Sequence, residues 1–188
     1  MESNDKDSAE KNIKQILHNC TLNDDVVIEK LPVLDVEYYF LNLRARSVGE
    51  VVTNKYRCDN LVDEKVCGNI METTLNLLEI KVENYDESHD TIQLTDKISV
   101  KLKYPEFSIV NRLKNLKSDV EMVFEIVLDS IEYIFDGEQY YYANEMDRKE
   151  VMEFLESLNQ DQFSKLENFF DNLPTIKKDV EMKCPKCG

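Results

Sequence analysis

A chain of 188 residues is long enough for one domain, or for one domain with an appended arm. Its 38 acidic residues outnumber its 23 basic ones, and the formal net charge of −15 argues against nucleic-acid binding because phosphate contacts need basic surface. The sequence has neither an apolar run long enough to span a bilayer nor a signal-peptide pattern, so we expect no membrane association and reducing, cytosol-like conditions.

The first quarter of the chain is predicted to form a helix, an arm and a second helix. Apolar residues at helical spacing predict a short amphipathic helix over 9–20 and a longer helix over 33–47. Residues 26–32 between them are predicted to be extended. Arg44 and Arg46 stand out in an acidic chain. They either cap the helix C-terminus or anchor a protein interface by bidentate contacts, and the sequence leaves both roles open.

The middle of the chain has the alternating apolar pattern of β-strands. We predict a strand over 50–57, a second over 70–82 and a third alternating run over 92–104. A polar turn is expected over 84–90. Together these segments predict an antiparallel sheet of three or four strands with one solvent-exposed face.

Beyond Pro105 the pattern becomes helical. The segment Ser118-Asp119-Val120-Glu121 has capping-box spacing and predicts the start of a helix whose apolar face continues to Ile134. Two further helices are predicted over 146–158 and 161–172, and the short connection between them makes them antiparallel. The C-terminal half is therefore expected to be mainly helical.

A tyrosine run follows the predicted turn at Asp136-Gly137. Tyr140, Tyr141 and Tyr142 place aromatic rings on both faces of an extended segment, so at least one ring is expected at the surface or at an interface. A role in base stacking would need basic neighbours, and the nearby charged residues are acidic.

Two distant cysteine pairs predict a metal site. In Cys184-Pro185-Lys186-Cys187-Gly188 the proline restricts the backbone and the glycine can take positive φ, so both sulfurs can point at one ion. A closed structural zinc site takes four ligands, and Cys58 and Cys67 supply the other two. The eight residues between Cys58 and Cys67 exceed the usual spacing and predict a wide loop.

Other chemistry for these cysteines stays open. They could be free thiols, each pair could form a disulfide, and four sulfurs suit iron as well as zinc. A fifth cysteine, Cys20, has no partner at metal spacing and is predicted to be a small buried hydrophobe. Because four sulfur ligands leave no coordination position for water, the site argues against a metalloenzyme.

Five segments of the sequence also stand out together: Leu31-Pro32, Leu43-Arg44-Ala45-Arg46-Ser47-Val48-Gly49-Glu50, Tyr56-Arg57-Cys58 with Cys67 after it, residues 92–105 and the terminal Cys184-Pro185-Lys186-Cys187-Gly188. In these segments the chain resembles the baseplate hub and hub-assembly proteins of T4-like contractile-tailed bacteriophages over residues 31–188. The resemblance implies a non-enzymatic structural subunit or assembly factor of the central hub. It also implies contacts with other hub and tape-measure proteins, in the host cytoplasm during assembly and in the virion tail baseplate.

The predicted fold class is α+β, with a small antiparallel sheet, a four-cysteine zinc-ribbon-like clasp and a helical C-terminal half. We expect an N-terminal helix and arm over 1–30 and a baseplate-hub-like domain over 31–188. The domain would contain strands at about 50–105, helices at about 108–173 and a zinc knuckle at 183–188. An alternative from another class is a zinc-ribbon regulator that binds the host transcription machinery, since an acidic protein suits a basic polymerase groove.

Overall fold

The computed structural model describes residues 6–84 and 90–188, so most of the predicted polar turn over 84–90 lies outside the described residues. The chain packs as two compact units. The first unit contains the residues up to Val36 together with Asn84–Thr175, and the second contains Glu37–Glu83 and Ile176–Gly188. The predicted domain boundary at residue 30 stays a prediction.

The described residues form six α-helices and two short 3-10 helices. The α-helices are α1 (Lys6–Cys20), α2 (Val33–Val48), α3 (Ile109–Leu113), α4 (Asp119–Ser130), α5 (Arg148–Ser157) and α6 (Gln160–Asp171). The 3-10 helices are Ile28–Lys30 and Leu77–Glu79. In this described part of the chain, no helix is both long and apolar enough to cross a bilayer.

The strands of the described residues form four separate groups, and the pairing is antiparallel in β1–β4, in β2–β3 and throughout the four-stranded sheet. They are β1 (Val51–Arg57), β2 (Leu61–Val62), β3 (Lys65–Val66), β4 (Ile70–Asn76), β5 (Lys81–Glu83), β6 (Thr91–Gln93), β7 (Ser99–Leu102), β8 (Ile131–Phe135), β9 (Tyr140–Tyr142) and β10 (Thr175–Lys177). The pairs are β1–β4, β2–β3 and β5–β10, and the fourth group is a sheet of order β6-β7-β8-β9. The predicted α+β class with a small antiparallel sheet is confirmed. The prediction that the strands over 50–104 join one sheet was wrong.

In the first unit, helices cover one face of the four-stranded sheet. The core combines buried residues of the sheet with residues of α4, α5 and α6, namely Leu94, Val100, Leu102, Val127, Leu128, Ile131, Ile134, Val151, Leu155, Leu166 and Phe169. Helix α1 belongs to the same unit and buries Leu17 completely. Of the apolar stripe predicted over 9–20, Leu17 therefore packs within the protein, whereas Ile16 and Cys20 are exposed.

The two helices near the C-terminus begin where their own side chains satisfy the first backbone N–H groups. Asp147 and Glu150 form a capping box at α5, and Asn159 and Gln162 form one at α6. Ser118 precedes α4 as predicted, but its side chain makes no capping hydrogen bond. Local capping thus places α5 and α6 within two residues of their predicted bounds.

The helix predicted to reach Ile134 was too long. It ends at Ser130, and Ile131–Phe135 forms strand β8 of the sheet. Residues 127, 131 and 134 have helical spacing, but sheet pairing on both sides of β8 decides its structure, with Val100 opposite Ile134 on one side and Tyr141 opposite it on the other. The C-terminal half is consequently helical only in part.

Three extended segments were also predicted wrongly. The run over 70–82 breaks at the 3-10 turn Leu77–Glu79, where the Asn76 side chain accepts from the Leu78 N–H. The run over 92–104 folds back as the hairpin β6–β7, because the Thr95 hydroxyl accepts from the Ile98 N–H and closes a turn. The arm over 26–32 contains a 3-10 turn. In the first two segments, a local side-chain hydrogen bond interrupts a pattern that hydrophobic alternation leaves continuous.

In the second unit a two-stranded ribbon is the main β-structure. Strands β1 and β4 pair over seven positions, from Val51 opposite Asn76 to Arg57 opposite Ile70. The hairpin β2–β3 lies in the connection beyond the end of this ribbon. Near the C-terminus, β10 pairs with β5, and Lys177 forms an ion pair with Glu83 at 3.7 Å. The extended return predicted for the segment before Cys184 begins here.

Candidate metal centre

The backbone hydrogen bonds of the β1–β4 ribbon continue to Cys58, the first of the four cysteines. Cys58 follows β1, donates its N–H to the Asn69 carbonyl at 2.8 Å and accepts from the Gly68 N–H at 3.0 Å. Gly68 has φ of +65°, a conformation that costs other residues free energy. The residue after Cys67 therefore turns the chain back into β4.

The connection between Cys58 and Cys67 is a hairpin and not the wide loop predicted from its length. Strands β2 and β3 pair Leu61 with Val66, and the turn residues Asp63 and Glu64 have φ of 49° and 63°. Two successive positive φ angles are the pattern of a type I′ turn, which matches the twist of tight hairpins. The hairpin accounts for the long spacing and brings both sulfurs to one end of the ribbon.

The second pair of sulfurs comes from the last residues of the sequence. The Gly188 N–H donates to the Cys184 carbonyl at 2.9 Å, which closes the turn that contains Pro185 and Lys186. Gly188 has positive φ, as Gly68 does after Cys67. Each half of the cluster thus ends in a cysteine followed by a glycine in a left-handed conformation.

The structure brings the four predicted cysteines together. Their sulfur atoms all lie within 4.8 Å of one another. The Cys58 and Cys187 sulfurs are 3.6 Å apart, and the Cys67 and Cys184 sulfurs are 3.8 Å apart. Tetrahedral zinc with Zn–S bonds of 2.3 Å places sulfurs about 3.8 Å apart. The four side chains therefore have the spacing of a closed tetrahedral site.

Hydrogen-bond donors surround the sulfurs. The side-chain amide of Asn60 donates to the Cys187 sulfur at 3.4 Å, and that of Asn69 donates to the Cys184 sulfur at 3.6 Å. Backbone N–H groups of Lys186 and Cys187 also point at the Cys184 sulfur. Such outer contacts stabilise thiolates and fix their orientation in metal sites. Sequence analysis missed both asparagines, although each stands two residues after an upstream cysteine.

Without a cation, the electrostatics of the cluster favour the ionised form of Cys184 and the neutral form of Cys58. The Lys186 backbone N–H is the largest of several contacts that lower the pKa of Cys184 to about 6 against the effect of burial. At Cys58 the Asn60 N–H also favours the thiolate, but burial and the neighbouring thiols outweigh it and raise the pKa to about 12. Four adjacent negative charges need a cation, so this donor set fits a divalent metal.

The other predicted site residues lie elsewhere. Arg44 donates from Nη1 to the Gly49 carbonyl at 2.9 Å, just beyond the end of α2, whereas Arg46 is exposed. Tyr140 and Tyr142 are exposed on β9, while the hydroxyl of the half-buried Tyr141 donates to the Asp136 carboxylate at 2.9 Å. Cys20 is exposed, so its predicted burial was wrong. The polar end of α1 and the solvent around it accommodate this thiol.

The fold and the cluster define a mixed α+β protein with a four-cysteine ribbon. The chain belongs to the family described as T4 bacteriophage base plate protein, whose model matches residues 1–188. The match also includes the N-terminal helix, beyond the span of 31–188 expected from the sequence. No curated protein and no solved structure matched the chain. Family membership makes this a phage baseplate protein and implies contacts with other baseplate proteins in the virion tail.

Proposed function

We propose that the protein is a non-enzymatic structural subunit or assembly factor, acting as a chaperone, of the central baseplate hub of a contractile-tailed phage. It would act through contacts with other hub proteins and with tape-measure proteins, in the host cytoplasm during assembly and in the tail baseplate. The observation that carries this proposal is the family match over the whole sequence. The arrangement of the cysteines supports it, because a fully sulfur-ligated ion is a structural element.

The proposed function includes a structural metal. Cys58, Cys67, Cys184 and Cys187 would hold one zinc ion, and iron suits the same sulfurs. The ion would supply a fixed crosslink between the end of the ribbon and the C-terminal residues. A structural zinc site contributes about 10 kcal/mol or more of apparent binding free energy. Closing the loop between the two pairs costs little more than closing a short loop, because the entropy grows only with the logarithm of length.

Exposed side chains supply candidate contact surfaces. We propose that Arg44, Arg46 and the tyrosine run Tyr140–Tyr142 take part in protein contacts. Arg46, Tyr140 and Tyr142 are exposed, which supports a contact role, whereas Arg44 also completes the end of α2 through Gly49. Arginine and tyrosine are the residue types that most often dominate binding energy at interfaces.

A phage with an amber codon in this gene tests the proposal. In a non-suppressing host we expect lysates without complete baseplate hubs, and a plasmid copy of the gene should restore them. Mass spectrometry of purified virions separates the two roles, because a subunit stays in the tail at fixed stoichiometry whereas an assembly factor is absent. Complete hubs in normal amounts without the protein would disprove the proposal.

A further inference from the structure

The face of the four-stranded sheet opposite the helices carries a cluster of aromatic rings. Ile134 and its partner Tyr141 face the core, so the alternate residues Tyr133, Phe135, Tyr140 and Tyr142 lie on the other face. The ring centres of Tyr133 and Tyr140 are 5.1 Å apart, and those of Phe135 and Tyr140 are 4.7 Å apart. Tyr142 contacts Tyr133 at 5.9 Å. We call these four residues the aromatic patch.

The aromatic patch is accessible and lies at an edge of the sheet. Tyr140 is 55% exposed and Tyr142 is 45% exposed. In the described part of the chain, β9 pairs only with β8, so one side of β9 has no neighbouring strand. Natural edge strands are commonly protected by lysine or proline, and β9 contains neither. Single exposed tyrosines are ordinary, but four rings that Tyr140 connects, beside an open edge, form a surface suited to binding.

A negatively charged depression adjoins the patch at Phe135. Its volume is about 480 Å³, and Phe135 forms part of its wall. Three carboxylates line it, those of Asp96, Asp136 and Glu138, against one ammonium group, that of Lys97. The Gln139 backbone N–H, with that of Glu138, holds the pKa of Asp136 below its ordinary value, so this carboxylate stays charged near neutral pH. The depression is therefore complementary to a cationic side chain.

We propose that the aromatic patch and this depression bind an extended basic segment of a partner protein. An arginine or lysine of the segment would enter the depression, with its apolar stem on Phe135 and its charge near Glu138. Neighbouring side chains would lie across Tyr140 and Tyr142, where a further cation can stack on a ring. The proposal rests on the proposed function, since it specifies the chemistry of one partner in the baseplate.

Charge complementarity selects this occupant over two others. A second copy of the chain would bring the same acidic depression and a further net charge of −15, so like charges would oppose a symmetric contact. Single-stranded nucleic acid also stacks on aromatic rings, but it requires a basic groove along its phosphates. The depression has three carboxylates, which would repel the phosphates of a nucleic acid.

Fluorescence anisotropy with the full chain tests the proposal. The probe is a labelled eight-residue peptide that alternates arginine with valine, and the comparison peptide replaces each arginine with glutamate. We expect the arginine peptide to bind, and Tyr140→Ser, Tyr142→Ser and Glu138→Gln to weaken binding by about two- to fivefold each. Tyr38→Ser and Glu156→Gln alter exposed residues on other elements and should leave the affinity unchanged.

Several results would overturn the proposal. These are no binding of the arginine peptide, equal losses in the test and control variants, or preferred binding of the glutamate peptide or of oligouridine. Self-association that Tyr140→Ser abolishes would assign the patch to a second copy. In phage, normal assembly of a variant that combines Tyr140→Ser with Tyr142→Ser would disprove the role of the aromatic patch. It would leave the proposed function standing, because the amber phage tests that function separately.

Discussion

The sulfur atoms of Cys58 and Cys187 lie 3.6 Å apart although 129 positions separate the two residues in the sequence. Cys58 is held by the ladder of the β1–β4 ribbon, and Cys187 lies in the turn that the Gly188 N–H closes by donating to the Cys184 carbonyl. In the unfolded chain nothing keeps these residues close together. A bound ion would therefore stabilise the folded second unit directly, because a preformed site exists only when the unit is folded.

Metal analysis should find about one zinc ion per chain in protein purified without chelators. Replacing Cys184 and Cys187 by serine removes two of four ligands, so we expect loss of the metal and a lower melting temperature. Cys20→Ser is the matched control, because this exposed thiol lies outside the cluster and should leave the metal content unchanged.

Thiol titration provides a second measurement on the same variants. In the native wild-type protein only Cys20 should react quickly, and after metal removal all five cysteines should become reactive. Metal-free protein with an unchanged melting temperature would contradict a structural role for the site. Iron in place of zinc would change the identity of the ion and leave the structural role intact.

The cysteine site could be predicted because residue type and spacing are enough to indicate a metal site. Cys184-Pro185-Lys186-Cys187-Gly188 identifies one half, and the requirement for four ligands identifies Cys58 and Cys67 as the other. The geometry of the upstream half could not be predicted, since Asp63 and Glu64 lack the Asn-Gly signature of a type I′ turn. The hairpin forms there because strands and sulfurs on both sides constrain it.

The fold was predicted best where local sequence decides structure. The helices α5 and α6 have their own capping residues and an apolar stripe, so their bounds follow from sequence. Strand β8 could not be separated from α4, because Val127, Ile131 and Ile134 fit a helical period as well as a buried strand. This segment becomes a strand because β7 and β9 pair with it. One of these strands precedes α4 in the sequence and the other follows β8, so the local pattern does not reveal them.

The turn of the small hairpin offers a stabilising double substitution. Asp63 and Glu64 both have positive φ, which costs most residues about 1–2 kcal/mol each. We expect Asp63→Asn with Glu64→Gly to raise the unfolding free energy of the metal-bound protein by about 1 kcal/mol. Thermal unfolding measures this. Lys65→Gly is the control in the adjacent strand and should destabilise, whereas a gain from Lys65→Gly as well would point to a general effect of glycine.

The turn after β8 predicts a pH-dependent contribution to stability. Asp136 accepts from the backbone N–H groups of Gln139 at 2.9 Å and Glu138 at 2.8 Å, and the first of these contacts contributes most to lowering its pKa. A carboxylate with a lowered pKa in the folded state stabilises the protein above the unfolded value of about 3.9. This contribution is lost as the pH falls through the lower, folded-state pKa.

Asp136→Asn measures that contribution. The variant should be less stable than the wild type at pH 7, and the difference in unfolding free energy should close below the folded-state pKa, where Asp136 is protonated. Tyr141→Phe removes only the hydroxyl that donates to this carboxylate and should give a smaller change with pH. A difference between Asp136→Asn and wild type that does not vary with pH would show that the charge is unimportant for the turn.

The core of the first unit should tolerate truncation poorly without affecting the cysteine cluster. Leu166 on α6 is fully buried among residues of the sheet and helices, so Leu166→Ala leaves a cavity and should lower the unfolding free energy by about 2–5 kcal/mol. Leu22→Ala is the control, because Leu22 is 96% exposed and should change stability by less than about 0.5 kcal/mol. Denaturant unfolding measures both variants, and metal analysis should show unchanged zinc in each. Loss of zinc in Leu166→Ala under native conditions would show that the first unit's core controls the metal site, since Leu166 and the four cysteines belong to different units.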